Sequence, residues 1–172
     1  MTPYRDVPSG AGLDGRAGLR GEAGVPSEQP GRTTEVGVSV RTVVLVKPDG
    51  VERGLTGVCL AAFEEAGLRL VGLKMLTLSP ETAREFYRTH RDEPFFDGLV
   101  AYVSSGPVVA ALFDGPDAVR RVREVIGATD PAQAAPGTLR ALYGLSVQRN
   151  TVHGSDGEES ARQEEAVLFG PC

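Results

Sequence analysis

From Val36 onward the apolar residues fall into short stretches whose period switches between that of a strand and that of a helix. Thr42-Val43-Val44-Leu45-Val46 is a mostly β-branched run closed by Lys47-Pro48-Asp49-Gly50, which predicts a buried strand entering a turn. Leu55 to Ala66 places Val58, Ala62, Phe63 and Ala66 on one helical stripe, with Gly67 as the stop. Leu68 to Leu78 reads as a strand whose apolar parity changes near Gly72, the mark of a bend or bulge. Ser79-Pro80 opens a helix, Pro94 to Ser104 is a further helical segment, and Val108 to Phe113 is a second buried strand. After Gly115-Pro116-Asp117, the residues Val119, Val122, Val125 and Ile126 form the stripe of another helix, stopped by Gly127. Ala128 to Gly137 reads as a long loop and Leu142 to Val147 as the last strand. Ser155-Asp156-Gly157-Glu158 has the spacing of a capping box, introducing a helix through about Leu168. Strands mixed with helices in this order predict an α+β domain, an antiparallel sheet covered by helices on one face.

The N-terminal part has no such period. Its first 40 residues hold 8 Gly and 4 Pro, so residues 1–38 are expected to be a disordered extension and residues 39–172 the folded domain. Eighteen Lys and Arg against 23 Asp and Glu give a net charge of −5, which argues against a nucleic-acid partner. No run approaches the roughly 20 apolar residues of a membrane span. Cys59 and Cys172 lie far apart with no apolar leader before them, so the expectation is a cytoplasmic protein without a disulfide framework.

The common phosphate-binding loops fail: Gly67 and Gly72 have a Walker spacing, but Leu73 stands where Lys is required. No C-x-x-C or H-x-x-x-H is present, so no built-in metal site is expected. Two segments remain. Lys47, one of only two lysines, ends the first strand at a helix start, where an ammonium among backbone amides favours an anion. The competing reading, a surface lysine in an ordinary turn, stands slightly ahead on composition alone. Arg149 to Asp156 holds the only Asn, Asn150, and one of two histidines, His153, with Gly154 beside it. Glu164, eleven residues on, sits on a helix able to fold back, and a carboxylate on one ring nitrogen leaves the other as nucleophile. A simple turn histidine is the competing reading. His90 is read as solvated, Cys59 as core.

Asn150-Thr151-Val152-His153-Gly154-Ser155-Asp156 resembles the N-x-x-H-G/A-S-D signature of the nucleoside diphosphate kinase family. Supporting segments, in order, are Val46 to Val51, Pro94-Phe95-Phe96, Ser105 to Val109, Gly127 to Pro131 and Pro136 to Arg140. The resemblance runs from about Arg41 to Phe169 and implies a ferredoxin-like βαββαβ sandwich with a four-stranded antiparallel sheet. It further implies that His153 takes the terminal phosphate of ATP or another nucleoside triphosphate and passes it to a diphosphate, with broad base specificity. By the same resemblance Glu164 orients the imidazole and Ser155 supports that contact. Lys47, Tyr87, Arg123, Thr129, Arg140 and Asn150 hold phosphates and ribose, and Phe95 and Val147 sandwich the base. The resemblance also implies Mg2+ held mainly by the phosphates, and a homo-oligomer. The chain departs from the family at Glu93, at Ala141-Leu142 and at Gln148, positions outside the chemical residues. A nucleotide-binding scaffold that has lost turnover is the alternative reading.

Overall fold

The computed structural model describes residues 40–170. The expected disordered extension, residues 1–38, and Cys172 lie outside the described residues. Four strands, β1 (Val40–Val46), β2 (Arg69–Thr77), β3 (Pro107–Gly115) and β4 (Val152–Gly154), form one sheet in the order β2-β3-β1-β4. Every neighbouring pair is antiparallel. Two crossovers generate this order. α1 (Pro48–Glu52) and α2 (Thr56–Glu65) join β1 to β2, while α5 (Ala118–Ile126) and α6 (Leu139–Tyr143) join β3 to β4. Between β2 and β3 lie α3 (Pro80–Phe86) and α4 (Phe96–Val103), and α7 (Glu158–Phe169) closes the chain. Two interleaved β-α-β units make the ferredoxin-like sandwich that the resemblance implies.

The expected single covered face is corrected to two. In β1, Val43 and Leu45 pack with Ala83, Phe86, Val100 and Leu168 from α3, α4 and α7. Val44 and Val46 point the other way, against Cys59, Phe63, Val122 and Ile126 from α2 and α5. A continuous β-branched run is what a strand buried on both faces requires. Burial of these side chains, each contributing about 1.5–3 kcal/mol, fixes the register of the central strand.

The bulge expected near Gly72 falls between Leu70 and Gly72. A side chain at Gly72 would meet Phe169 at 3.1 Å, so the glycine lets α7 lie against β2. Ser79 caps α3 as expected, its hydroxyl accepting the Thr82 N–H. Four further expectations are corrected. Val58 is 45% exposed, and Cys59 and Phe63 are the buried positions of α2. Leu142 to Val147 is no strand: its first residues end α6, and Leu142, Leu145 and Val147 are exposed. The last strand is β4, in the segment read as a loop, where Val152 pairs with Val46. The helix after it starts at Glu158 behind Gly157, whose N–H donates to Ser160, because the Ser155 hydroxyl is engaged with Glu164 instead of capping. Within the expected long loop, Pro131–Gln133 form a 3-10 turn.

Candidate active site

His153 occupies the middle of β4, opposite Leu45. Directly paired residues share a face, so the imidazole points to the side of the sheet that carries Leu45, Phe86 and α7. The rings of Phe86 and Tyr87 meet it edge-on at 5.1 and 5.2 Å. On α7 the buried stripe runs Ser160, Ala161, Glu164, Glu165 and Leu168, which brings Glu164 down onto the same spot. Its Oε1 lies 3.1 Å from His153 Nε2, and its Oε2 accepts the Ser155 hydroxyl at 2.7 Å. The Ser155 oxygen in turn accepts the Val43 N–H at 3.2 Å, tying the carboxylate to the central strand. With Nε2–H donated to a buried carboxylate, Nδ1 carries the lone pair.

The imidazole opens on a cleft of about 520 Å³. At its floor Lys47 Nζ donates to Asn150 Oδ1 at 2.7 Å and to the Gln148 carbonyl at 3.2 Å. Asn150 Nδ2 donates to the Thr129 carbonyl at 2.8 Å. Arg140 is 4% exposed, and its guanidinium donates to the carbonyls of Val152 and Gly127 at 3.0 Å each. Arg123, from α5, lines the same wall. At the mouth stand Phe95 and Val147, each 56% exposed although large and apolar.

Electrostatics reveal what this cleft lacks. Burial, and then the nearby Arg140 guanidinium, push the Lys47 ammonium down to about 7, with Asp49 acting in the opposite sense. Burial and Arg123 lower Arg140 to about 10. Burial raises the Tyr87 hydroxyl, whose oxygen has no hydrogen-bond partner among the described residues. Three cationic groups and an unpaired phenol facing one space form a site made for a polyanion, since an anion relieves the mutual repulsion and supplies the missing acceptors. Among the described residues no three His, Cys, Asp or Glu gather to hold a metal. One carboxylate other than Glu164, that of Asp156, lines the cleft.

The cleft brings together Lys47, Tyr87, Phe95, Arg123, Thr129, Arg140, Val147, Asn150, His153 and Glu164, with Ser155 behind Glu164. His90 is corrected: it lines the cleft, stacked on Tyr87 at 6.2 Å and 6.1 Å from the Phe95 ring. Its position three residues after Tyr87 was the available signal. Asp49 escaped notice because its sequence context is that of an ordinary turn, yet it is 1% exposed.

The family model for nucleoside diphosphate kinase matches residues 40–172. The nucleoside diphosphate kinase of Haloarcula marismortui is 53% identical over 130 residues, 75% of this chain and 84% of that protein. That of Desulforamulus reducens is 51% identical over 129 residues, 75% of this chain and 87% of its own length. Among solved structures, the Aquifex aeolicus nucleoside diphosphate kinase superposes with a TM-score of 0.74 at 46% identity, covering 76% of this chain and 95% of that one. A halophilic nucleoside diphosphate kinase from Halobacterium salinarum, in complex with CDP, gives 0.73 at 48% identity, covering 76% and 88%. Sequence, topology and relatives agree: the chain belongs to the nucleoside diphosphate kinase family.

Proposed function

We propose that this protein moves the terminal phosphate of a nucleoside triphosphate to a nucleoside diphosphate in two steps, with His153 carrying the phosphate between them. The observation that carries the reading is the pairing of a carboxylate-held imidazole with an anion cleft: Glu164 holds Nε2 at 3.1 Å while Lys47, Arg123 and Arg140 line the space beyond the ring. In the first step the Nδ1 lone pair attacks the terminal phosphorus. The bond to the bridging oxygen breaks, and the diphosphate leaves with that electron pair. In the second step a different diphosphate attacks the phosphohistidine and the N–P bond breaks. Charge spread over the transferring oxygens is met by the guanidiniums and the ammonium, already in place before reaction. Glu164 offsets the positive charge that the ring acquires on phosphorylation.

Phe95 and Val147 take the base between apolar surfaces, which accept any base and favour broad specificity. Thr129, Tyr87 and Asn150 serve the sugar and phosphates. A divalent cation, Mg2+ in our reading, neutralises phosphate charge when bound. The residues would fit a cation carried mainly by the nucleotide, since among the described residues only two carboxylates, Asp156 and Glu164, line the cleft and Glu164 is engaged with His153 and Ser155. The relative solved with CDP supports a nucleoside diphosphate as the acceptor. We also infer a homo-oligomer, supported by the exposed Val71, Leu73 and Met75 on edge strand β2. A cytoplasmic setting is consistent with Cys59, a buried free thiol. No helix among the described residues is long and apolar enough to cross a membrane.

The test is incubation with ATP labelled on its terminal phosphate. Label should reach His153 through a bond that is acid-labile and base-stable, and chase off with a second diphosphate. His153→Ala should abolish both labelling and transfer; a variant that kept full transfer would refute the mechanism.

A further inference from the structure

Asp49 is the least exposed acidic residue among those described, and the mechanism above leaves it without a task. Its carboxylate has three neighbours. Oδ1 accepts the Tyr102 hydroxyl from α4 in a short hydrogen bond, while the Asp49 N–H donates back to the Tyr102 oxygen at 3.3 Å. Oδ2 accepts the Thr151 N–H at 3.1 Å. Arg53 approaches to 3.9 Å. The carboxylate thus joins the turn after β1 to the residue just before β4.

Thr151 is the unusual partner. Its φ is +71°, and the only other non-glycine residue with positive φ among those described is Asp117. A β-branched side chain is disfavoured in this left-handed region, so the surroundings must impose it. They do so at every polar atom: the amide goes to Asp49, the carbonyl accepts the Lys47 N–H at 2.9 Å, and the hydroxyl donates to the Tyr143 carbonyl at 3.0 Å. On one side of this turn stands Asn150, whose Oδ1 holds the Lys47 ammonium at 2.7 Å. On the other side begins the ladder that carries His153. The ladder and Glu164 hold His153 independently of the turn, whereas the backbone of Asn150 leads directly into it, with one further anchor where its Nδ2 donates to the Thr129 carbonyl at 2.8 Å.

We propose that Asp49 is a positioning residue for phosphoryl transfer: by gripping the Thr151 amide it fixes a strained turn and so sets where Asn150 and the Lys47 ammonium stand in the cleft. The inference rests on the function proposed above. Asp49 touches neither substrate nor reacting atoms and acts through Thr151. Its charge has a second consequence for Lys47. Arg140 from α6 opposes the ammonium and Asp49 supports it, while Tyr87, His90, Arg123, His153, Asp156 and Glu164 complete the titratable groups of the same cleft.

The test compares Asp49→Ala, Asp49→Asn, Thr151→Gly and the double variants in the exchange of phosphate from ATP to a second diphosphate. Asp49→Ala should lower kcat/KM at least about tenfold. Glycine adopts positive φ without a clamp, so Asp49→Ala/Thr151→Gly should return to within about threefold of Thr151→Gly alone. That recovery is the signature of action through the turn; a role in general stability would not produce it. Asp49→Asn keeps the shape but loses the charge, and the basic limb of its kcat/KM profile should move to lower pH. If Asp49→Ala does not fold, Asp49→Ser and Asp49→Ser/Thr151→Gly, whose shorter side chain no longer reaches the amide as the carboxylate does, carry the same comparison. The proposal is overturned if the glycine restores nothing at matched thermal stability, or if Asp49→Asn shows wild-type kcat/KM at every pH. A wild-type protein that transfers no phosphate overturns the functional reading instead, so the two failures are told apart.

Discussion

Replacing Glu164 by Gln isolates one charge in the site. The carboxylate is 5% exposed and makes two hydrogen bonds, one to His153 Nε2 at 3.1 Å and one from Ser155 at 2.7 Å. A glutamine amide fits the same space. With its oxygen toward His153, its NH2 donates to the Ser155 oxygen, and the Ser155 hydroxyl turns to the Val43 carbonyl, 3.3 Å away. The geometry therefore survives and only the charge is lost. A hydrogen bond to a charged group is worth about 1.5–3 kcal/mol, against about 1 for a neutral one. In this site the difference develops as the ring gains positive charge, so it appears in the barrier. At 1.4 kcal/mol per factor of ten, a complete loss costs roughly 10- to 100-fold in kcat. The retained neutral bond puts Glu164→Gln at the lower end of that range. KM should be nearly unchanged, because no phosphate contact is altered. Steady-state transfer between ATP and a second diphosphate, with the rate of phosphohistidine formation measured separately, gives both numbers. Adding Ser155→Ala removes the group that tells the amide which way to face. The flipped amide would then donate to Nε2 and leave the proton on Nδ1, so the double variant should fall well below the single one. A Glu164→Gln enzyme with kcat within twofold of wild type would refute the assigned role of the charge.

Three further outcomes follow from the cleft. Lys47 is depressed to about 7 by burial and Arg140, so kcat/KM, which reports the free enzyme, should decline as pH rises through about 7. The kcat profile should be flatter there, since bound phosphates favour the ammonium. In stability the sign is reversed: the unfolded chain holds this proton up to about 10.5, so Lys47's contribution should grow between about pH 7 and 10.5, readable as a rising Tm relative to Lys47→Met. Phe95→Ala should raise KM for every nucleotide by a similar factor, since a stacked base is worth about 1–3 kcal/mol whatever its identity. A large effect confined to purines or to pyrimidines would show that polar contacts select the base.

What could be read from the sequence was whatever a single element decides for itself. The β-branched run of β1, the Ser79 cap and the parity change at Gly72 are local events with local causes, and each stands where the pattern puts it. β4 was missed because three residues are too few to show a period, and because Thr151 bends the chain just before them. The pairing energy that makes it a strand comes from β1, over a hundred residues earlier in the chain. Leu142, Leu145 and Val147 mimic strand alternation, but their side chains are exposed and no partner strand among those described reaches them. Ser155 has the spacing of a cap, yet a buried carboxylate competes for the same hydroxyl and wins, since a charged acceptor binds it more strongly than a helix N–H could. Lys47, Asn150, His153 and Glu164 stood out by position and chemistry alone, whereas Tyr87, Phe95, Arg123, Thr129, Arg140 and Val147 were legible only through the family signature. Their spacing says nothing about convergence, which is a property of the sheet order.

That order explains why these particular side chains meet. Because β4 runs antiparallel to β1, the end of β1 lies beside the start of β4, and Lys47 must therefore lie against Asn150 and Thr151. The crossover from β3 to β4 passes over the same sheet end and delivers Arg123 on α5 and Arg140 on α6. The pairing of Leu45 with His153 then selects the face. A slip of one residue would turn the imidazole toward Val122 and Ile126 and away from Glu164, and would drive Val152 into the space now filled by the ring. Three packed layers thus oppose that slip: the two-sided burial of β1, the Phe86 and Tyr87 contacts on the ring, and the close approach of Gly154 to α5, where a side chain would stand 2.5 Å from Val122. Core and catalyst share one register. A substitution that loosens β1 anywhere along Val43 to Val46 should therefore reduce transfer before it unfolds the protein, because the nucleophile moves with the strand it is paired to.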